Sequence, residues 1–166
     1  MRILLEFEID CHPDDAWAAL HNPAAVRELY GGLITLRPIS PVPLPATMSA
    51  GTEVTVETRL FGFVPNGTQV IRIADHHHDR DGHPARTLQD KGEPLTGPLA
   101  LLESWNHEMT ITESPRSPQR TRWIDSLTVT GWAALLFLPV LRLAWAWRQR
   151  QIIHVAPGWR RENPLS

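Results

Sequence analysis

Two ionisable side chains, His107 and Asp125, stand among large apolar residues of the same parity. Trp105 and Met109 flank the histidine, and Trp123 and Leu127 flank the aspartate. Successive strand residues point to opposite faces, so residues of one parity share a face. A turn near Pro115 to Pro118 folds the two segments together, which sets His107 and Asp125 opposite or one diagonal step apart. Cβ atoms so placed are ~4.5–5.5 Å apart, or ~7–8 Å on the diagonal. An aspartate on an apolar face is costly to bury unpaired. It requires a hydrogen bond from His107, from an indole nitrogen or from water. Two roles suit the pair. One is a structural contact that holds two strands in register. The other is a polar anchor or acid–base group that orients a ligand's oxygen. These two residues are the candidates for catalysis.

Other polar clusters are less specific. Asp75-His76-His77-His78-Asp79, with Asp81 and His83 nearby, has metal-ligating residue types. Metal sites hold their ligands on rigid elements with outer-shell support. This run reads as a solvated hairpin tip, so no metal site is assigned. Cys11 directly precedes His12. Adjacent strand residues face opposite ways, so Cys11 reads as a small buried apolar residue. It is the single cysteine, which excludes an intramolecular disulfide. Arg142, Arg148 and Arg150 could engage an anionic head group, but solvated helix-end charges are the plainer reading. Phosphate loops, nucleophile elbows and zinc motifs are missing from the sequence, and no cofactor is expected.

The elements that must position these residues read mostly as strands. Residues 2–10 alternate, with Ile3, Leu5, Phe7 and Ile9 on one face. Pro13-Asp14-Asp15-Ala16-Trp17 carries helix-start signals, with Trp17 and Leu20 as anchors. Asn22-Pro23 restarts the chain into a second short helix, Ala24 to Tyr30, ended by Gly31-Gly32. Leu33 to Arg37 is a short strand. Residues 38–50 hold Pro38, Pro41, Pro43 and Pro45 and read as an extended loop. Strands follow at Thr52 to Leu60, Gln69 to Ala74 and Arg86 to Asp90, with turns at Pro65-Asn66-Gly67 and at Asp79 to Gly82. Leu99 to Thr112 and Thr121 to Thr130 complete the set.

Gly131 to Val155 is the one long apolar stretch with helical spacing. Its uninterrupted run, Trp132 to Leu141, is far short of the ~20 residues of a spanning helix. A helical wheel places Phe137, Val140, Ala144 and Trp147 opposite Arg142 and Gln149, which describes an amphipathic core helix. Pro139 either kinks that helix or marks its start.

The 166 residues fit one domain, residues 1–156, with a polar tail at 157–166. The net charge of −2 gives no electrostatic footprint for nucleic acid. Met-Arg-Ile-Leu-Leu-Glu carries charge too early for a secretory signal, so a cytoplasmic protein is expected, with no integral membrane span. Transient membrane contact stays open, and oligomeric state is not legible.

The element order and several local patterns resemble the SRPBCC superfamily, which includes START lipid-transfer domains, birch-pollen-allergen-like proteins and polyketide cyclases. The matching pieces are the first strand running into Pro13-Asp14-Asp15-Ala16-Trp17, then Asn22-Pro23 and Gly51-Thr52-Glu53-Val54. Asp90, Gly97-Pro98, Trp105-Asn106-His107 and Thr121-Arg122-Trp123-Ile124-Asp125 continue the order, and the aromatic, arginine-bearing last helix closes it. The resemblance is closest to bacterial stand-alone members. It implies an α+β helix-grip fold: a curved antiparallel sheet of about seven strands wrapped around a long C-terminal helix, with two short helices after the first strand. It implies an internal cavity for a hydrophobic small molecule such as a lipid, polyketide or isoprenoid. The same fold hosts cyclase, aromatase and dehydratase enzymes, and the resemblance carries no catalytic set onto this chain.

One helix must cover about seven strands, so an apolar pocket is expected between the sheet and the last helix. From the strands its lining would draw on Phe7, Val56, Ile73, Trp105 and Met109, and on Trp123 and Leu127. From the helix it would draw on Phe137, Val140 and Trp147. His107 and Asp125 would supply its polar contacts. A purely apolar lining favours a carrier, inward ionisable groups favour an enzyme, and a filled cavity favours a partner-binding domain.

Overall fold

The structure, a computed structural model, describes residues 1–39 and 45–159. The chain runs β1 (Arg2–Ile9), α1 (Pro13–Leu20), α2 (Pro23–Tyr30), β2 (Ile34–Pro38), β3 (Glu53–Leu60), β4 (Val64–Arg80), β5 (His83–Asp90), β6 (Glu93–Pro94), β7 (Ser104–Ser114), β8 (Ser117–Thr130) and α3 (Ala134–Val155). Seven strands pair in the order β1-β8-β7-β5-β4-β3-β2, and β6 adds a short pairing to β4. All the pairings are antiparallel. The sheet curls into a half-barrel, with α1 and α2 following the first strand. This is the α+β helix-grip architecture that the sequence implied.

The curl has local causes. Register shifts between Thr58 and Arg59, where β3 meets β4, and between Glu113 and Ser114, where β7 meets β8. Such irregularities sharpen strand twist and bend the sheet. Pro65-Asn66-Gly67, expected as a turn, lies inside β4 at the first of these shifts. The turn sits earlier, at Phe61 to Phe63, with Phe61 at φ 52°. The histidine run is likewise strand, not hairpin tip: His76, His77 and His78 pair with Thr87, Arg86 and Ala85. Among the described residues no group of three potential metal ligands converges.

The short helices are capped as their sequences require. The Asp14 N–H donates to His12 Nδ1 at 3.2 Å, and the Ala24 N–H donates to Asn22 Oδ1 at 2.9 Å. Each helix also has proline in its first turn, where a missing N–H costs nothing. Gly31 ends α2 in the left-handed region, where a side chain would also strike Gln151 of α3. That close approach fixes Tyr30, the last residue of α2, beside α3.

Helix α3 packs across β1 and against α2. Its buried residues are Ala134, Leu141, Trp145, Arg148 and Ile152. The helical wheel had assigned a different face. Val140 and Trp147 are exposed, and Arg148, expected as a solvated helix-end charge, is buried. The reason is Asp125: the helix turns to deliver a cation to it, and that pairing outweighs hydropathy. Pro139 is the sixth residue of α3, so the helix starts before it.

Pro38, read as loop, pairs with Val56 at the sheet edge. Pro41 and Pro43, expected in the same loop, lie outside the described residues. Pro157, Gly158 and Trp159, expected in a loose tail, belong to a 3-10 turn, and the Trp159 ring lies 6.2 Å from that of Trp123. The remainder of the tail lies outside the described residues. No described helix is long and apolar enough to cross a membrane.

Candidate functional site

The register of β7 and β8 sets Met109 opposite Asp125 and His107 opposite Leu127. His107 and Asp125 are therefore one diagonal step apart, on one face. Their side chains meet, with His107 Nε2 2.8 Å from Asp125 Oδ1. The Trp145 indole N–H donates to the same oxygen at 2.9 Å, and Arg148 Nη1 donates to Oδ2 at 3.1 Å. Three donors from two elements thus surround a carboxylate that is 1% exposed. Burial alone would raise its pKa. The Arg148 guanidinium, then His107, outweigh burial and hold Asp125 at about 2. An ionised carboxylate only accepts, so His107 Nε2 carries the hydrogen. Nδ1 then has no protein partner among the described residues.

Arg148 does more than neutralise Asp125. Nη2 lies 2.8 Å from Met109 Sδ, and the guanidinium sits 5.3 Å from the centre of the Tyr30 ring. Its Nε is buried without a hydrogen bond among the described residues. The cation ties α3 to α2 and to β7 at once.

In front of this network lies a partly enclosed cavity of about 240 Å³. Its floor is a patch of four residues on β5 and β7, with Leu88 opposite Met109 and Asp90 opposite His107. Val56 and Ile73 form part of the sheet wall. Leu20 of α1, Val26 and Tyr30 of α2, and Met48 close the other side. The pocket was expected between sheet and last helix. Its opposite wall is instead α1 and α2, because α3 lies over β1 and leaves the concave half near β3 to β5 uncovered.

Asp90 and Tyr30 are site residues that sequence reasoning did not assign to the pocket. Asp90 Oδ1 accepts N–H bonds from Arg72 at 3.0 Å and Gly92 at 2.9 Å. Gly92 must lack a side chain here, since a Cβ would sit 2.1 Å from the Val70 carbonyl oxygen and 2.8 Å from Asp90 Oδ1. Oδ2 makes no protein hydrogen bond among the described residues and is the Asp90 oxygen left for the cavity. Burial raises the Asp90 pKa, against the two N–H donors and His107. Burial also raises that of Tyr30, against Arg148. Leu88 and Asp90 share parity, and Tyr30 is the chain's single tyrosine. Those were the available signals.

The other expected lining residues sit elsewhere. Asp125 is sealed behind His107 and does not line the cavity. Leu127, Trp105 and Phe137 belong to a core cluster under α3 that includes Leu141 and Trp145. Trp123 is fully buried and stacks on Phe7 at 6.3 Å. Val140 and Trp147 line a separate surface groove.

No protein-family model matches the chain, and no curated protein matches it by sequence. Solved structures do. Protein CV1439 from Chromobacterium violaceum superposes with a TM-score of 0.61 at 17% identity, covering 93% of this chain and 95% of that one. Truncated norcoclaurine synthase from Thalictrum flavum gives 0.57 at 15% identity, covering 94% and 92%. DynU16, from the dynemicin biosynthetic locus, gives 0.53 at 14% identity, covering 94% of this chain and 47% of that one. At these identities the likeness is one of fold.

Proposed function

We propose that this chain is an SRPBCC-type protein that binds an apolar small molecule carrying a hydrogen-bonding oxygen. One observation carries the reading. A largely apolar cavity has a polar strip on its floor, Asp90 beside His107, with Tyr30 and the exposed Arg27 contributed by α2. Apolar walls with few convergent polar groups are the usual composition of small-molecule sites. At about 240 Å³ the cavity falls just below the ~300–1,000 Å³ typical of such sites, so a compact ligand is favoured. The walls supply affinity through burial, and Asp90, His107 Nδ1 and the Tyr30 hydroxyl orient the ligand's oxygen.

A second observation supports an enzyme on the same site. His107 is oriented by Asp125 through Nε2 and keeps Nδ1 for the cavity. An imidazole held by a buried carboxylate suits proton transfer to or from a bound molecule. In this reading His107 is the acid–base group of a cyclase- or dehydratase-type reaction. Asp125 is a positioning residue, since three donors occupy it. The fold shared with norcoclaurine synthase is compatible with both readings.

Native mass spectrometry of the purified protein, with saturable binding of an apolar fluorescent probe, tests the proposal. Val56→Trp, which fills the cavity from β3, should abolish probe binding in a folded protein. A protein that carries no small molecule and binds no probe would overturn it. Loss of turnover in His107→Ala with probe binding retained would favour the enzyme over the carrier.

A further inference from the structure

The side of α3 that faces away from the sheet is apolar. Leu135, Leu136, Val140 and Leu143 are all more than 60% exposed, Leu143 at 73%. Trp132, two residues before the helix, and Trp147, within it, are exposed as well. The patch does not stop at the helix. The β3–β4 turn places Phe61 and Phe63 on the surface, with Phe63 at 70%. A groove joins the two, lined by Leu60 and Phe61 on the turn side and by Val140, Leu143, Trp147 and Arg150 on the helix. Contiguous apolar surface of this kind marks an interaction site.

The charges select the occupant. No aspartate or glutamate occurs between Asp125 and Glu162. Arg142 and Arg150 are exposed on α3 and make no ion pair among the described residues. The groove contains no carboxylate. A second copy of this chain docking by the same face would bring cations together with nothing to neutralise them. A surface that is apolar beneath and anionic above satisfies both features. Interfacial helices combine Leu and Trp with Arg in this way, and tryptophan sits at the head-group level.

We infer that the outer face of α3 and the Phe61–Phe63 turn dock the protein peripherally on an anionic lipid surface. The leucines and phenylalanines enter the acyl boundary, Trp132 and Trp147 lie at the head groups, and Arg142 and Arg150 meet lipid phosphates. The inward face of β2 continues from Ile34 in the groove to Leu36 and Pro38 in the cavity wall. Docking thus sets the cavity beside the apolar layer. Docking is independent of what the cavity holds.

The test is co-sedimentation with vesicles of phosphatidylcholine, with and without about 30% phosphatidylglycerol, at low and high salt. The full chain should pellet with the anionic vesicles, more weakly at high salt, and its tryptophan emission should shift to the blue. Leu143→Glu and Phe63→Glu, both at exposed positions, should keep the wild-type circular dichroism and melting curve. Each should weaken vesicle binding at least about tenfold. Arg142→Gln with Arg150→Gln should remove the preference for phosphatidylglycerol. Absence of binding to either vesicle, or equal binding by the glutamate variants, would overturn the inference. So would a stable oligomer in light scattering that Leu143→Glu dissociates, which would assign the face to a second copy. Probe binding in the cavity is measured separately, so failure of docking leaves the ligand reading standing.

Discussion

Replacing Arg148 by methionine keeps the aliphatic bulk and removes the charge. In the wild type its guanidinium is 3% exposed on the side chain and donates to Asp125 at 3.1 Å. Without it Asp125 keeps two donors, His107 and Trp145, in an interior that penalises its charge. Breaking one side of a buried pair costs roughly 3–5 kcal/mol. The fall in the Asp125 pKa from 3.8 to about 2 gives a second scale, since it corresponds to roughly 2 kcal/mol favouring the ionised form. Urea unfolding at pH 7, followed by circular dichroism, should therefore show a loss of roughly 2–5 kcal/mol for Arg148→Met. Asp125→Asn combined with Arg148→Met should lose less than Arg148→Met alone, because no buried charge is left unpaired. The pH dependence has a definite sign. The folded pKa lies below the unfolded one, so the unfolded chain binds more protons between the two values. Asp125's contribution is then complete above the ordinary aspartate pKa and is lost as pH falls toward 2. Wild-type stability should decline across that window more steeply than Asp125→Asn. A loss under about 1 kcal/mol for Arg148→Met, with no relief in the double variant, would refute the claim that this ion pair seats α3.

Asp90→Asn keeps the acceptor for the Arg72 and Gly92 N–H groups and removes a charge that burial disfavours. With the folded pKa raised, wild-type stability is lost relative to the variant as pH rises past the usual carboxylate range, so Asp90→Asn should melt higher at pH 7. Gly92→Ala forces a Cβ against the Val70 carbonyl oxygen and should cost roughly 1–3 kcal/mol in urea unfolding. Pro139→Ala restores an N–H for the Leu135 carbonyl in the exposed part of α3. It should stabilise the protein by roughly 1–3 kcal/mol, read in the same assay.

Parity and a short turn determine register, which is why the contact between His107 and Asp125 is legible in the sequence. The same logic brought Val56, Ile73 and Met109 to the concave face. The helix was different. Hydropathy ranks arginine as polar, and no wheel can know that Asp125 waits beneath the sheet-facing side. The face of α3 was therefore misassigned by the residue that fixes it. The cavity wall failed for a related reason. Which helix covers which half of a curled sheet depends on where α2 ends at Gly31 and meets Gln151, a contact between distant segments. The long β4 was cut short because histidines and a Pro-Asn-Gly tripeptide imitate turns, whereas pairing with β3 and β5 holds them extended.

The strand order also bears on how the chain reaches this state. From β2 to β8 each long strand pairs with its neighbour in sequence, so that part of the sheet can grow hairpin by hairpin. Strand β1 alone pairs across nearly the whole chain, Ile3 against Leu127. Contacts so distant in sequence require a large loop to close and form late unless a nucleus already holds the ends. Docking of β1 should then follow the rate-limiting step. Ile3→Val would accelerate unfolding and leave the refolding rate nearly unchanged, whereas a conservative truncation in the β7–β8 pair, such as Ile111→Val, would slow refolding.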